Sequence, residues 1–149
     1  LRERGVEISE SNLLISRNSQ VIMPWHRTRD NLQEISRGGN EIGTTGQGIG
    51  PTYSDRALRT GFLVKDLLDP DFEERFDNEL RFQERLTGVM NGDRSMGGQG
   101  KYYDRDVILE QVKEAREIIA PMVTHVLPVI WDYKDRGKSI IGEAGQGAV

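Results

Sequence analysis

Apolar positions along this chain occur either as short runs or as helical stripes. Near the start, Leu13-Leu14-Ile15 and Val21-Ile22-Met23 flank the polar stretch Ser16 to Gln20, which predicts two short strands joined by a turn. Pro24 suits the first position of a helix. Trp25, Leu32 and Ile35 follow at helical spacing, and Gly38-Gly39 supplies a stop. His26, beside Trp25, reads as a solvated or hydrogen-bonded helix residue rather than a ligand or base. Past a glycine-rich stretch, Tyr53 to Thr60 reads as a short helix capped by Gly61, and Phe62 to Leu68 is apolar enough to pack. Asp69-Pro70 predicts a helix start, with the aspartate as N-cap and the proline at N1. Phe72, Phe76, Leu80, Gln83, Leu86 and Met90 trace one face of that helix. Arg75, Arg81 and Arg85 alternate with Glu73, Glu74, Glu79 and Glu84 on a solvated face.

Residues 91–101 are polar and carry Gly92, Gly97, Gly98 and Gly100, the pattern of a flexible loop. Asp104 to Ile119 forms an amphipathic helix with Ile108, Val112, Ala115 and Ile119 on one side. Pro121 is expected to break or kink it and to push residue 120 out of the α region. A second helix carries Met122, Val126 and Ile130, with an irregularity at Pro128 and with Lys134 and Arg136 in its last turn before Gly137. Its apolar face reads as core or subunit interface, and His125 as structural. Ser139-Ile140-Ile141 reads as a short strand entering the turn Gly142 to Gly147. Such a turn at the carboxyl end of a strand is where α/β proteins bind ligands, although this glycine spacing is common.

At 149 residues the chain can hold a core, but 36% hydrophobic and 30% charged residues make that core modest. A net charge of −4 without a basic stripe argues against nucleic-acid binding. Without cysteine there is neither a disulfide framework nor a thiolate metal site. No apolar run reaches the length of a membrane span. The start at Leu1 and the end at Val149, just after a glycine-rich turn, lead us to expect an internal fragment.

The richest chemistry lies in IGTTGQGIGPTYSDRALR, from Ile42 to Arg59. Gly43, Gly46, Gly48 and Gly50 let backbone N–H groups approach an oxyanion, Thr44 and Thr45 add hydroxyl donors, and Pro51 is placed to open a helix whose N-terminus favours anions. Arg59 adds a planar fork of donors. These are the parts of a phosphate cradle, although a mobile glycine-rich surface loop fits the composition equally well. It is not a Walker A loop, because no Gly-Lys-Ser/Thr follows, and the glycine spacing is wrong for a dinucleotide fingerprint.

The run GTTGQGIGPTYSDRALRTG, residues 43 to 61, resembles the signature segment of adenylosuccinate synthetase. The likeness extends through Pro24-Trp25-His26 and the terminal EAGQGAV, over a middle portion of that family's length. Gln47 stands where the family usually has Arg or Lys, and Ala144 and Gly145 stand in reverse order. The resemblance implies an α/β fold with a central sheet, P-loop-like, of which this stretch would be a mostly helical piece with short strands belonging to the larger sheet. Residues 1–149 would then be an internal part of one synthetase domain.

The implied activity joins inosine monophosphate (IMP) to L-aspartate, driven by GTP and Mg²⁺, in purine biosynthesis. The purine 6-oxygen is phosphorylated first, and the aspartate amine then displaces that phosphate. The GTP, metal and catalytic acid–base residues would lie outside this stretch, leaving it inert alone. Implied IMP contacts are Thr45, Gln146 and Arg59, the last reaching into the partner's site of a homodimer; Thr44, Gly46 and Gln47 are loop contacts. The implied setting is cytoplasmic, away from membranes. Two alternatives remain: a non-catalytic helical dimerisation module, and a ligase of the same type acting on another purine monophosphate.

Overall fold

Ile15 pairs with Val123 and Ser16 with Thr124, so that β1 (Ile15–Ser16) and β2 (Val123–Thr124) form a parallel two-stranded ladder. The structure, a computed structural model, describes residues 4–40, 42–92 and 101–143. Between the strands run α1 (Pro24–Arg37), α2 (Ile49–Leu58), α3 (Val64–Leu67), α4 (Phe72–Met90) and α5 (Arg105–Ile119), and α6 (Val126–Asp135) follows β2. A parallel pair needs a long crossover, and here α1 to α5 supply it. The chain is thus mostly helical with short parallel strands, an α/β fragment as expected.

Several boundaries differ from expectation. Only one of the two predicted strands forms, displaced to Ile15–Ser16. Val21 instead donates its N–H to the Phe62 carbonyl at 2.9 Å beside an isolated antiparallel bridge, Gln20 to Leu63. The apolar spacing predicts helix through 122–126, but β2 interrupts it, because Val123 and Thr124 gain backbone partners in β1 that no local pattern reveals. Ala120 stays in the α region at φ −48°, ψ −44°; Pro121 is absorbed by a 3₁₀ turn over Ala120–Met122 rather than by a bend at residue 120. Ser139–Ile141 forms no strand, having no partner among the described residues, and Ile141 is 94% exposed. Residues 93–100, most of the expected flexible loop, lie outside the described residues.

The core forms where α1, α4 and α5 meet the 62–67 segment. Met23, Trp25, Phe62, Leu67, Phe72, Phe76, Leu80, Tyr103 and Ile108 are all buried in one cluster. Trp25 is its hub, with ring centroids 6.0 Å from Phe76 and 6.1 Å from Tyr103. Burying each such side chain stabilises the fold by about 1.5–3 kcal/mol. The α4 stripe is as predicted at Phe72, Phe76, Leu80 and Gln83, but then runs through Thr87, whose hydroxyl lies 2.7 Å from the Tyr103 hydroxyl, while Leu86 and Met90 are only half-buried. The α4 helix also begins two residues late. Asp69 does not cap it; its carboxylate accepts the Asp71 N–H in a turn, and Asp71 is the N-cap. At the other helix predicted well, Asp104 caps α5 by accepting from the Asp106 and Val107 N–H groups.

Candidate functional site

Helix α1 places His26, Asp30 and Glu34 four residues apart, on one face. That face meets the glycine-rich loop and α2. His26 is buried, its Nδ1 accepting the Met23 N–H at 2.9 Å; this puts the ring proton on Nε2, which donates to Asp55 Oδ2 at 3.0 Å. His26 is therefore hydrogen-bonded rather than solvated. Arg29, from the same helix, donates to both Asp55 oxygens at 2.7 and 2.8 Å, and Gln83 of α4 adds Nε2 at 3.3 Å. Burial alone would raise the Asp55 carboxyl; the hydrogen bonds from His26 and Arg29, with the Arg29 charge, more than offset it and hold the group below its ordinary value. Glu79, which accepts from Gln83 Nε2 at 2.7 Å, is pushed up, chiefly by burial.

Asp55 in turn organises the end of α2. Its backbone carbonyl accepts from Thr60 at 2.9 Å and from Gly61 at 3.1 Å. Helix α2 starts earlier and stops earlier than the predicted Tyr53–Thr60. Gly48 is its N-cap, Pro51 is its third residue rather than its first, and Arg59, not Gly61, is the left-handed residue that ends it, at φ 65°, ψ 24°. Arg59 is the one non-glycine residue with positive φ among those described. An L-residue there is disfavoured by about 1–2 kcal/mol. Its side chain is exposed and makes no hydrogen bond to a described residue.

The loop from Ile42 to Gly48 hangs on α1 through carboxylates. Glu34 accepts from the N–H groups of Ile42 at 3.2 Å, Gly43 at 2.8 Å and Thr44 at 3.4 Å. Asp30, 4% exposed, accepts from Gly48 N–H at 2.9 Å. Gly48 has φ +81°, and a Cβ there would lie 2.8 Å from the His26 carbonyl carbon and 2.9 Å from the Arg27 nitrogen. Only glycine fits this approach of backbone to backbone. The backbone cradle expected for an anion is thus occupied at four N–H groups by the chain's own acids. The side chains of Thr44, Thr45 and Gln47 remain exposed, and the N–H groups of Thr45, Gly46 and Gln47 donate to no described residue. Gly46, at φ +66°, is half-buried against Asn31.

The structure brings Thr44, Thr45, Gly46 and Gln47 together at the N-terminal end of α2. Arg59 sits at the other end, and ten helical residues span about 15 Å. Gln146 lies outside the described residues. Sequence reasoning missed Asp30, Glu34, Arg29 and Asp55, although the four-residue spacing of 26, 30 and 34 on a helix facing a glycine-rich loop was legible. The described residues do not fit a magnesium site: no three His, Asp or Glu side chains converge on a point among them, and Asp30, Asp55 and Asp77 are each engaged by hydrogen-bond donors.

The family model described as adenylosuccinate synthetase matches residues 1–149. An adenylosuccinate synthetase of Clostridium novyi is 35% identical over 150 aligned positions, covering 100% of this chain and 33% of that protein. One from Carboxydothermus hydrogenoformans is 38% identical with the same coverage. The chain spans about a third of the length of these relatives. The solved structure of fully ligated adenylosuccinate synthetase from Plasmodium falciparum has the same fold over 87% of this chain and 28% of its own, with a TM-score of 0.74 at 21% identity. The match along every residue makes this chain a member of the adenylosuccinate synthetase family.

Proposed function

We propose that this chain is an internal segment of a longer cytoplasmic synthetase that joins IMP to L-aspartate with GTP and Mg²⁺, and that the segment supplies part of the IMP site and of a homodimer interface. In the proposed reaction the γ-phosphoryl of GTP passes to the purine 6-oxygen, releasing GDP. The aspartate amine then attacks carbon 6 and inorganic phosphate leaves. The groups that perform those steps, and those that hold GTP and the metal, lie outside these residues, and the segment alone is inert. Its own task is to bind and orient the monophosphate through Thr45, with Thr44, Gly46 and Gln47 around it, Gln146 on the nucleotide, and Arg59 on the phosphate.

The observation that carries this reading is the placement of Thr45 and Arg59 at opposite ends of α2, both exposed. About 15 Å of helix separates them, too far for one phosphate group to touch both within a chain. In the homodimer we propose, the Arg59 of one subunit reaches the Thr45 end of the other. The direct test is the full-length protein incubated with GTP, Mg²⁺, IMP and L-aspartate. Succinyl-nucleotide formation dependent on all four is expected, and absence of product with IMP overturns the reading. Product with another purine monophosphate instead would reassign the substrate.

A further inference from the structure

Four N–H groups of a loop whose glycines suit an external anion are held instead by Glu34 and Asp30. We infer that Glu34, with Asp30, is a positioning residue for the monophosphate site: the two carboxylates take the place of an anion in the loop's own N–H groups and hold Thr44 and Thr45 outward. The inference rests on the function proposed above.

Three features support it. The acids sit one helical turn apart on α1 and grip the two ends of the loop, Ile42 to Thr44 by Glu34 and Gly48 by Asp30. Between the grips, the N–H groups of Thr45, Gly46 and Gln47 donate to no described residue, and Thr45 and Gln47 are exposed just ahead of the N-terminus of α2, where an anion is favoured. The loop backbone is also fixed by glycines at φ +76°, +66° and +81° for residues 43, 46 and 48. Such a backbone is free to collapse in many ways unless its donors are engaged. A carboxylate accepting two or three backbone N–H groups forms the stronger, charge-assisted kind of hydrogen bond. Glu34 is only half-buried, so it can be replaced without emptying the core.

The experiment compares Glu34→Ala and Glu34→Gln with the unaltered full-length protein. Amide hydrogen exchange at Ile42 and Gly43, measured without substrate, reports whether the loop is held. Equilibrium titration with IMP and steady-state kinetics report whether holding it matters. Expected for Glu34→Ala are faster exchange, a Kd and KM for IMP raised about tenfold, and kcat changed much less, at an unaltered Tm. Glu34→Gln keeps an acceptor oxygen and should recover part of the loss, which a role confined to stability would not produce. Unchanged exchange in Glu34→Ala overturns the inference, as does faster exchange with unchanged or tighter IMP binding, which would make Glu34 a competitor of the ligand. If the unaltered protein binds no IMP, the proposed function fails while the exchange result still decides whether Glu34 holds the loop.

Discussion

Arg29 Nη1 lies 2.7 Å from one oxygen of Asp55 and 2.8 Å from the other, and both residues are buried. The pair links α1 to α2 at the level where His26 also reaches Asp55, and α2 is the element that carries both the loop and Arg59. A buried ion pair adds little net stability against apolar replacements, but removing one partner leaves the other charge stranded. Asp55→Ala is expected to destabilise the full-length protein by about 3–5 kcal/mol, read as a fall in Tm, and to loosen the turn at Arg59. Asp55→Asn should lose less, since its oxygen still accepts. A change below 1 kcal/mol for the alanine variant would show that Asp55 does not fasten α2.

The same carboxyl sets an acid-side dependence. Its folded value lies below the ordinary 3.8, so its contribution is complete at pH values above that and fades as pH falls through the lowered folded value. The sign is opposite for Glu79, whose folded value is raised, chiefly by burial. Its contribution is complete below the ordinary value of 4.5 and declines as pH rises toward the raised one. Glu79→Gln keeps an oxygen for the Gln83 Nε2 bond and removes the half-buried charge. It is therefore expected to raise Tm at pH 7 while leaving it nearly unchanged at pH 4. An equal shift at both pH values would exclude ionisation of Glu79 as the cause.

What the sequence disclosed follows from how local each signal was. The Asp104 cap and the stripe beginning at Phe72 and Phe76 are read within one or two turns, and both are present. The β2 strand depends on backbone partners 108 residues away, so Val123 and Thr124 looked like part of a helix. Likewise the glycine run announced an anion-binding loop. Its actual anions, Glu34 and Asp30, come from a helix read only by its apolar spacing at Trp25, Leu32 and Ile35, which says nothing of where its acids reach. Arg59 was legible as a functional cation because of the residues around it. Its left-handed backbone was not, since Gly61 two residues later looked like the natural helix stop.

Gln47 offers a test at the loop surface. It is exposed, it is uncharged where the resemblance leads one to expect Arg or Lys, and its side chain bonds to no described residue. A cation placed there strengthens attraction for anionic substrates by about 1 kcal/mol near a surface. Gln47→Arg in the full-length protein is expected to lower the KM for IMP or aspartate several-fold with kcat less affected, and the gain should shrink at high salt. Unchanged or weakened apparent affinity for both substrates would remove Gln47 from the site.

Arg59 joins a structural oddity to a proposed role, and three substitutions separate them. Its left-handed backbone is tolerated by glycine and disfavoured for any other L-residue by about 1–2 kcal/mol. Arg59→Gly is therefore expected to be more stable than Arg59→Ala by about 1 kcal/mol, because only glycine relieves the strain; equal Tm values would mean that the φ of 65° carries no strain. All three of Arg59→Gly, Arg59→Ala and Arg59→Leu should raise the KM for IMP about tenfold or more, since each removes a charge-assisted bond worth about 1.5–3 kcal/mol. The stability order and the kinetic order then differ, which a purely structural arginine cannot produce. Mixing decides whether the contact is made within a chain or across a dimer. Arg59→Leu, combined with a full-length variant disabled at its own catalytic acid–base residue, should recover activity as subunits exchange. Each mixed dimer then holds one site with an intact catalytic centre and an intact Arg59 supplied by the other chain. No recovery under conditions where exchange is demonstrated, for example by mass-labelled subunits, would place Arg59 in its own chain's site. The 15 Å of α2 between it and Thr45 would then have to be bridged by the nucleotide itself rather than by a second copy.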